Sequence, residues 1–338
     1  MNAAASHPFK QVDRQVIIQK LGPDVLKKCL GRMLLIRNFE FRAEAAYQQG
    51  KIGGFFHSYV GQEAIQTAVV QALGPNNWYT TSYRCHALAL LLGASPEELM
   101  AELFGRVTGN AKGRGGSMHF FTDRMLGGFG IVTGQVPIAT GAGFTLKYKG
   151  IKDQVSICFM GDGAVAQGAF HESLNLASLW NLPCIYVIEN NLWGMGTAVE
   201  RAVSVPHLAE DKAPGYNMKG YTLDGMDFFT CYAGFEYLFH EVLESERPVL
   251  VEVLTERFKG HSISDPALYR TKEALKQVMQ RDPITLMQNA LLEAGIMTED
   301  QLKALDKEMR ERVMAAIDFA DKSPWPDPHT LEEDVFAP

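Results

Sequence analysis

Cysteine is scarce. The 338 residues hold five (Cys29, Cys85, Cys158, Cys184 and Cys231), an odd number with no pair at C-x-x-C spacing. Neither a disulfide framework nor a zinc site is indicated. Cys158 and Cys184 lie in apolar runs and read as small buried hydrophobes of a reducing compartment. Long hydrophobic runs are missing too. The longest, ALALLLGA at 87–94, falls far short of the ~20 residues that span a bilayer. The opening MNAAASHPFKQVDRQ has no apolar signal core and is no Arg-rich transit peptide. The expectation is a cytoplasmic protein, most simply a bacterial one, with no membrane partner. Basic charge is in deficit. Lys plus Arg is 32 against 39 Asp plus Glu, a net charge of −7, which argues against a general nucleic-acid binder. One phosphorylated ligand in a local pocket remains open. There is no repeat, no low-complexity segment and no Gly/Ser linker.

What is present is the balance of a globular protein, 46% hydrophobic and 21% charged. Residues 24–49 carry an apolar face at helical spacing through Val25, Leu26, Cys29, Leu30, Met33 and Leu34. A second helix, 61–74, stops at Gly74 before Pro75. WYTTSYR is strand-like, and 95–106 reads as a helix with Ser95 at its N-cap and Pro96 at its first position. A glycine-dense loop at 109–121 follows, then a loop running into a small-residue helix within 127–150. Strand 155–160, a turn, a helix near 165–180 and strand 184–189 form the unit from which parallel sheets are built. A helix near 228–245 precedes strand 248–258. Beyond 268 the chain is mostly helical. Thr298 and Gln301 form a capping box for a helix to about 322, striped with Leu302, Leu305, Met309, Val313, Ile317 and Ala320. That stripe must be buried on this chain or on a partner. The pattern predicts one doubly wound, mostly parallel α/β domain with helical additions. It spans 23–322, with an N-terminal arm at 1–22 and a tail at 323–338.

The chemistry concentrates at Gly161-Asp162-Gly163, on the carboxyl end of strand 155–160. Asn190 and Asn191 end the next strand. In a doubly wound sheet both ends face the crevice where ligands bind. A carboxylate and an amide oxygen there suit Mg²⁺, which shares its oxygens with phosphates. The glycines and the following helix N-terminus would then meet the anion. A rival reading is a dinucleotide turn, with Gly161, Gly163 and Ala166 as G-x-G-x-x-A and Glu189 as the ribose acid. An acid inside that glycine loop repels a pyrophosphate unless a metal intervenes. A strand–turn–helix with a merely capping Asp is the third reading.

The run GDGAVAQGAFHESLNLASLWNLPCIYVIENN resembles the thiamine diphosphate motif. The blocks FFHSYVGQEA, SYRCHA, AKGRGGSMH, GIVTGQVP, ENNLWGMGTAVERA and GHSISDPALYRT, in that order, resemble the alpha subunits of the heterotetrameric pyruvate dehydrogenase component of the 2-oxo acid dehydrogenase complexes. The resemblance covers about residues 30–320. It implies a thiamine-diphosphate-binding fold, oxidative decarboxylation of pyruvate, and acetyl transfer to the lipoyl group of dihydrolipoyl acetyltransferase. By the same resemblance Asp162 and Asn191 ligate Mg²⁺ through side chains and Trp193 through its carbonyl. Gly163 and Ala164 face the diphosphate with backbone N–H groups, Tyr83, Arg84 and Arg257 hold it, and Gly130 and Val132 meet the aminopyrimidine. His57 and His261 match active-site histidines that bond to or exchange protons with the substrate, its intermediate or the lipoyl group, and His261 also counts as a cofactor contact. His86 and His119 lie in matching blocks without an assigned role, and His171 reads as structural. Lys259, two residues before His261, is expected to depress its pKa. Ser262 stands where animal relatives carry an inhibitory phosphate, but no kinase regulation is inferred. Gly109–Met118 and Gly260–Tyr269 are the loops expected to order on binding.

One sheet and its helices consume the chain. A complete thiamine enzyme needs a second domain to grip the pyrimidine, so a beta subunit in an α2β2 heterotetramer is implied. The striped C-terminal helix and the Pro-rich tail are candidate contacts for it. Acetoin and branched-chain 2-oxo acid dehydrogenase alpha subunits are the near alternatives, and an NAD-dependent oxidoreductase the alternative of another class.

Overall fold

Along strand Ser156–Gly161 successive side chains enter different cores, as the two-residue period of a strand requires. Ile157 and Phe159 pack into one apolar cluster, and Cys158 and Met160 into another. This strand is the centre of the molecule, a computed structural model that describes residues 12–333, 335 and 336. In chain order the strands are β1 (Trp78–Ser82), β2 (Met125–Phe129), β3 (Ser156–Gly161), β4 (Cys184–Asn190), the short antiparallel ribbon β5 (Trp193–Gly194) and β6 (Thr197–Ala198), β7 (Lys219–Asp224) and β8 (Val249–Leu254). Six of them form one sheet in the order β2-β1-β3-β4-β8-β7, every neighbouring pair parallel. Ile157 stands opposite Ile185, and Val187 opposite Val251. Strands buried on both faces read as near-continuous apolar runs, which is how β3, β4 and β8 read.

The helices are α1 (Arg14–Gln48), α2 (Glu63–Leu73), α3 (His86–Leu91), α4 (Pro96–Leu103), α5 (Gln135–Tyr148), α6 (Gly168–Leu179), α7 (Val199–Ala202), α8 (Phe228–Ser245), α9 (Lys272–Met279), α10 (Pro283–Glu293) and α11 (Glu299–Lys322). Buried residues of α1, α2 and α8 share the cluster of Ile157 and Phe159, and those of α5 and α6 the cluster of Cys158 and Met160. Helices cover both faces, which is the expected doubly wound α/β arrangement. The β1–β3 neighbours lead outward in opposite directions, so the crevice at their carboxyl ends is a topological switch point.

Four features differ from the sequence expectation. The first helix starts at Arg14, with Asp13 accepting from the Gln15 N–H at 2.9 Å, and breaks at Gly22 (φ 73°) before Pro23. Of the expected arm, residues 1–11 lie outside the described residues. β2 and β7 were unexpected strands. The helix expected near 165–180 is preceded by a 3₁₀ turn, Asp162–Ala166, and becomes α-helical only at Gly168. Lastly, the α11 stripe is spent within the chain: Leu302, Met309, Val313, Ala316 and Ala320 are buried where α11 crosses α4 and α1. It is therefore not a free face for a partner. Of the tail, Trp325 meets the chain, with the Arg106 guanidinium 3.7 Å from its ring centroid. The Thr298–Gln301 capping box forms as expected.

All five cysteines are buried and unpaired, and burial pushes the thiols of Cys29, Cys85, Cys158 and Cys184 up to about 12. Arg37 of α1 stitches three helices together. It donates to both oxygens of fully buried Glu63 and to both of Asp282, at 2.9 and 3.1 Å for the latter.

Candidate active site

The carboxyl ends of β1, β2, β3 and β4 open into a cavity of about 720 Å³. His57, Tyr83, Arg84, Gly130, Val132, Asp162, Gly163, Ala164, Asn191, Trp193 and His261 all line it. The fold thus gathers segments far apart in sequence, because each follows a strand end or a loop folded over one. Arg257 is the exception among the residues singled out. It stands behind the wall, its Nη2 donating to the carbonyls of Trp193 at 3.3 Å and Met195 at 3.4 Å and to the Tyr269 hydroxyl at 3.3 Å.

Asp162 is buried, and burial pushes its carboxyl upward. Its own N–H, the Arg257 and Arg84 charges and the Asn191 N–H pull it back. At the end of β4 the two asparagines part company, as adjacent strand residues do. Asn190 turns away. Its Oδ1 accepts from the Leu192 N–H at 2.9 Å and its Nδ2 donates to Glu252 at 2.7 Å. Asn191 faces the cavity, and its buried Oδ1 has no hydrogen-bond partner among the described residues. Arg257 Nη1 likewise is buried without an acceptor. A buried polar group left unmet costs about 1–3 kcal/mol, so the unmet Asn191 Oδ1 in the cavity wall is a place fit for a cation, while the unmet Arg257 N–H lies behind that wall. Asp162 and Asn191 fit an oxygen-liganded divalent ion. Among the described residues no three His, Cys, Asp or Glu side chains meet as a metal site. Leu192 and Met195 hold positive φ (69° and 55°) in the loop that crosses this site, as does Thr133 (70°) in the cavity wall. Such strain gathers where the surroundings over-determine the backbone.

Arg84 is fully buried in carbonyl oxygens, donating to Ser58 and, at 2.8 Å, to His261, and burial brings its guanidinium down to about 10. His57 and His261 stand edge to face with ring centroids 5.1 Å apart, and the Tyr83 ring contacts both. Burial, then Arg84 and neighbouring charges, lowers His57 to about 3. His261 falls to about 4 by burial, Arg84 and Arg257. Both are neutral at pH 7. Lys259 has no part in this. Its Nζ pairs with Glu44 at 3.0 Å, and the depressing charges on His261 are the two arginines.

Four residues escaped the sequence reading. Gln62 is buried on the cavity, accepts from Asn191 Nδ2 at 3.4 Å and leaves its Nε2 unmet. Gln135 donates to the Phe159 carbonyl at 3.0 Å with its Oε1 unmet. Phe55 and Met118 add apolar wall. Gln62 lies in the quoted YVGQEA block, but nothing in the residue type marks it. Glu189 is no ribose ligand: Tyr59 and Gln66 both donate to its Oε1, and burial raises it to about 7. His86 is buried away from the cavity between Glu40 and the Ser117 carbonyl, and His171 bonds Tyr216. His119 does line the cavity.

A family model described as dehydrogenase E1 component matches residues 31–329. The chain belongs to the dehydrogenase E1 family. Within that family it is 44% identical over 308 residues to the pyruvate dehydrogenase E1 component subunit alpha of Rickettsia conorii, covering 90% of this chain and 93% of that protein. It is 42% identical over 312 residues to the protein of the same name from Rhizobium meliloti (91% and 89% covered). The chloroplastic subunit alpha-3 of Oryza sativa is 39% identical over 315 residues, covering 90% and 74%. E1 membership accounts for the parallel sheet and the strand-end crevice together, and it leaves the dinucleotide reading without support. Among the described residues no helix is long and apolar enough to cross a membrane.

Proposed function

We propose that this chain is the alpha subunit of a pyruvate dehydrogenase, holding thiamine diphosphate through Mg²⁺ and acting with a beta subunit in an α2β2 heterotetramer of the bacterial cytoplasm. The observation that carries the reading is the unmet Asn191 Oδ1 in the same cavity wall as buried Asp162. The names of the relatives favour pyruvate over branched-chain 2-oxo acids and acetoin. Asp162, Asn191 and the Trp193 carbonyl would hold the ion. Thiamine diphosphate, when bound, supplies the nucleophile and electron sink for decarboxylating a 2-oxo acid.

This chain's residues bind, orient and exclude water. Arg84 and Arg257 offset the diphosphate charge, which Asp162 alone would repel. Tyr83 packs against Arg84 (5.6 Å from guanidinium to ring) and walls the same side. The backbones of Gly163 and Ala164 face the diphosphate, and those of Gly130 and Val132 the aminopyrimidine. Neutral His57 and His261 each offer one N–H and one lone pair, so they can orient a carboxylate or carbonyl and accept a proton as negative charge enters. The lipoyl disulfide of dihydrolipoyl acetyltransferase would be both oxidant and acceptor of the two-carbon unit, one sulfur ending as the acetyl thioester and the other as a thiol.

The test is titration of the co-expressed alpha and beta subunits with thiamine diphosphate, with and without Mg²⁺, by calorimetry. Asp162→Asn is expected to weaken Mg²⁺-dependent binding at least about tenfold, since even residues behind metal ligands cost that much, and to abolish pyruvate decarboxylation. Unchanged affinity in the variant refutes the ligand assignment. Binding of NAD in place of thiamine diphosphate refutes the function.

A further inference from the structure

The glycine-dense loop expected to order on ligand binding is already gathered round one side chain. Glu102, on α4, is fully buried. Its Oε2 accepts from the N–H groups of Ala111 (2.9 Å) and Gly113 (2.8 Å), and its Oε1 from those of Gly115 (2.7 Å) and Gly116 (3.1 Å). Four backbone donors on one carboxylate form an anion nest whose anion is the protein's own. The glycines follow from the wrapping. A Cβ on Gly109 would lie 2.3 Å from Glu102 Oε2, and one on Gly113, whose φ is +79°, would lie 2.7 Å from the Gly105 carbonyl. The loop is braced from outside as well. The Val107 N–H donates to the Pro324 carbonyl at 3.1 Å, and Arg114 donates to the carbonyls of Thr330 at 2.7 Å and Glu333 at 3.0 Å.

The same loop delivers the cavity rim. The peptide joining Gly115 to Gly116 gives the Gly116 N–H to Glu102 Oε1, at 3.1 Å, and the Gly115 carbonyl to His119 Nδ1, at 2.9 Å. A carbonyl only accepts, so His119 carries its proton on Nδ1, and in the neutral ring Nε2 is an acceptor. That nitrogen sits beside Gly130 in the cavity wall, where a Cβ would come within 3.4 Å of it. Meanwhile Ser117 ties the loop to the Phe55 carbonyl, two residues before His57.

We propose that Glu102 is a positioning residue of the active site. Its carboxylate sets the loop 109–116 and, through the Gly115–Gly116 peptide, fixes the ring and tautomer of His119, which presents an acceptor nitrogen to the bound molecule at the cavity rim. This rests on the reading of the cavity as the thiamine diphosphate site.

The test uses the α/β complex carrying Glu102→Gln, His119→Ala or both. In the wild type, ¹⁵N NMR should show His119 as the Nδ1–H tautomer. In Glu102→Gln one pair of loop N–H groups loses its acceptor. The amides of 111–116 should then exchange with deuterium about tenfold faster in the cofactor-free complex, and His119 should become a tautomer mixture. Each single variant should weaken the binding of thiamine diphosphate or raise the KM for pyruvate by about tenfold, and the double variant should be no worse than the weaker single, because both cut one linkage. An Nδ1–H tautomer and loop exchange that survive Glu102→Gln, or single effects that multiply in the double variant, would overturn the proposal. His119→Ala alters a rim residue, so folding of that variant is not in question, and the wild-type tautomer decides the matter even if Glu102→Gln fails to assemble. A wild-type complex that binds no thiamine diphosphate refutes the functional reading instead, and the tautomer and exchange readouts still judge Glu102.

Discussion

Acid should unbalance this protein through His57. The ring is 7% exposed, and burial with the nearby Arg84 holds its pKa at about 3 against an ordinary 6.5. In the unfolded chain it protonates below 6.5, and in the folded chain it stays neutral until about pH 3. Between those values the unfolded state binds one more proton, so stability is present above 6.5 and drains away as pH falls. Each pH unit in that window costs about 1.4 kcal/mol, so from pH 7 to pH 5 His57 removes about 2 kcal/mol. His261, half-buried and partly screened by water, adds less. The measurement is urea unfolding of the cofactor-free chain at pH 7 and pH 5, wild type beside His57→Asn. The variant lacks the titrating group, so its loss over the interval should be smaller by about 2 kcal/mol. Equal losses would show that His57 titrates alike in both states, and the account of a neutral buried imidazole beside two arginines would fail. NMR gives the direct check: the His57 ring resonances should not move between pH 8 and pH 5.

Two further outcomes follow from the packing. Gly61 has φ +103°, and a Cβ there would lie 2.4 Å from the Glu256 carbonyl; Gly61→Ala should cost about 1–3 kcal/mol or more in urea unfolding, and a change under about 0.5 kcal/mol contradicts the close approach. Arg37→Met strands buried Glu63 and should cost about 3–5 kcal/mol, while adding Glu63→Gln should recover a good part of the loss; a double variant as unstable as the single removes the ion-pair explanation.

The strands that carry the site were legible because they are buried on both faces. The runs at 155–160 and 184–189 allow no other packing, and the turn after β3 with the asparagine after β4 could be placed from the parallel-sheet rule alone. β2 was hidden by composition. Met125–Phe129 includes two glycines and pairs with β1 only once the chain has come round, so local propensity argues against it. β7 was hidden by its weak apolar signal, since only Tyr221 and Leu223 of its six residues are buried. In the site, residue types with a single strong use were found. Gln62 and Gln135 were not, because an amide becomes significant only when its unmet atom is seen. Asn190 and Asn191 were read as a pair, and the two-residue period of β4 separates them. Glu102 was not singled out, since nothing in the residue type marks an acid in helix 95–106. The glycines it requires were plain, but the reason for them lies across a loop. The depressed histidines depended first on burial and then on the nearness of Arg84 and Arg257, which no spacing along the chain encodes.

The cavity at the switch point has no home in any one stretch of the chain. Its walls come from residues as distant as His57 and His261, so no fragment and no partly folded intermediate owns it. Ligand affinity is therefore a gauge of the intact fold. A molecule that occupies the cavity at a hundred times its Kd should raise the global unfolding free energy by about 2.7 kcal/mol, and molecules that leave the melting curve in place have not been seated. A thermal-shift screen of diphosphates with divalent ions reads the ligand directly, before any reaction is assayed and whether or not the lipoyl acceptor is at hand.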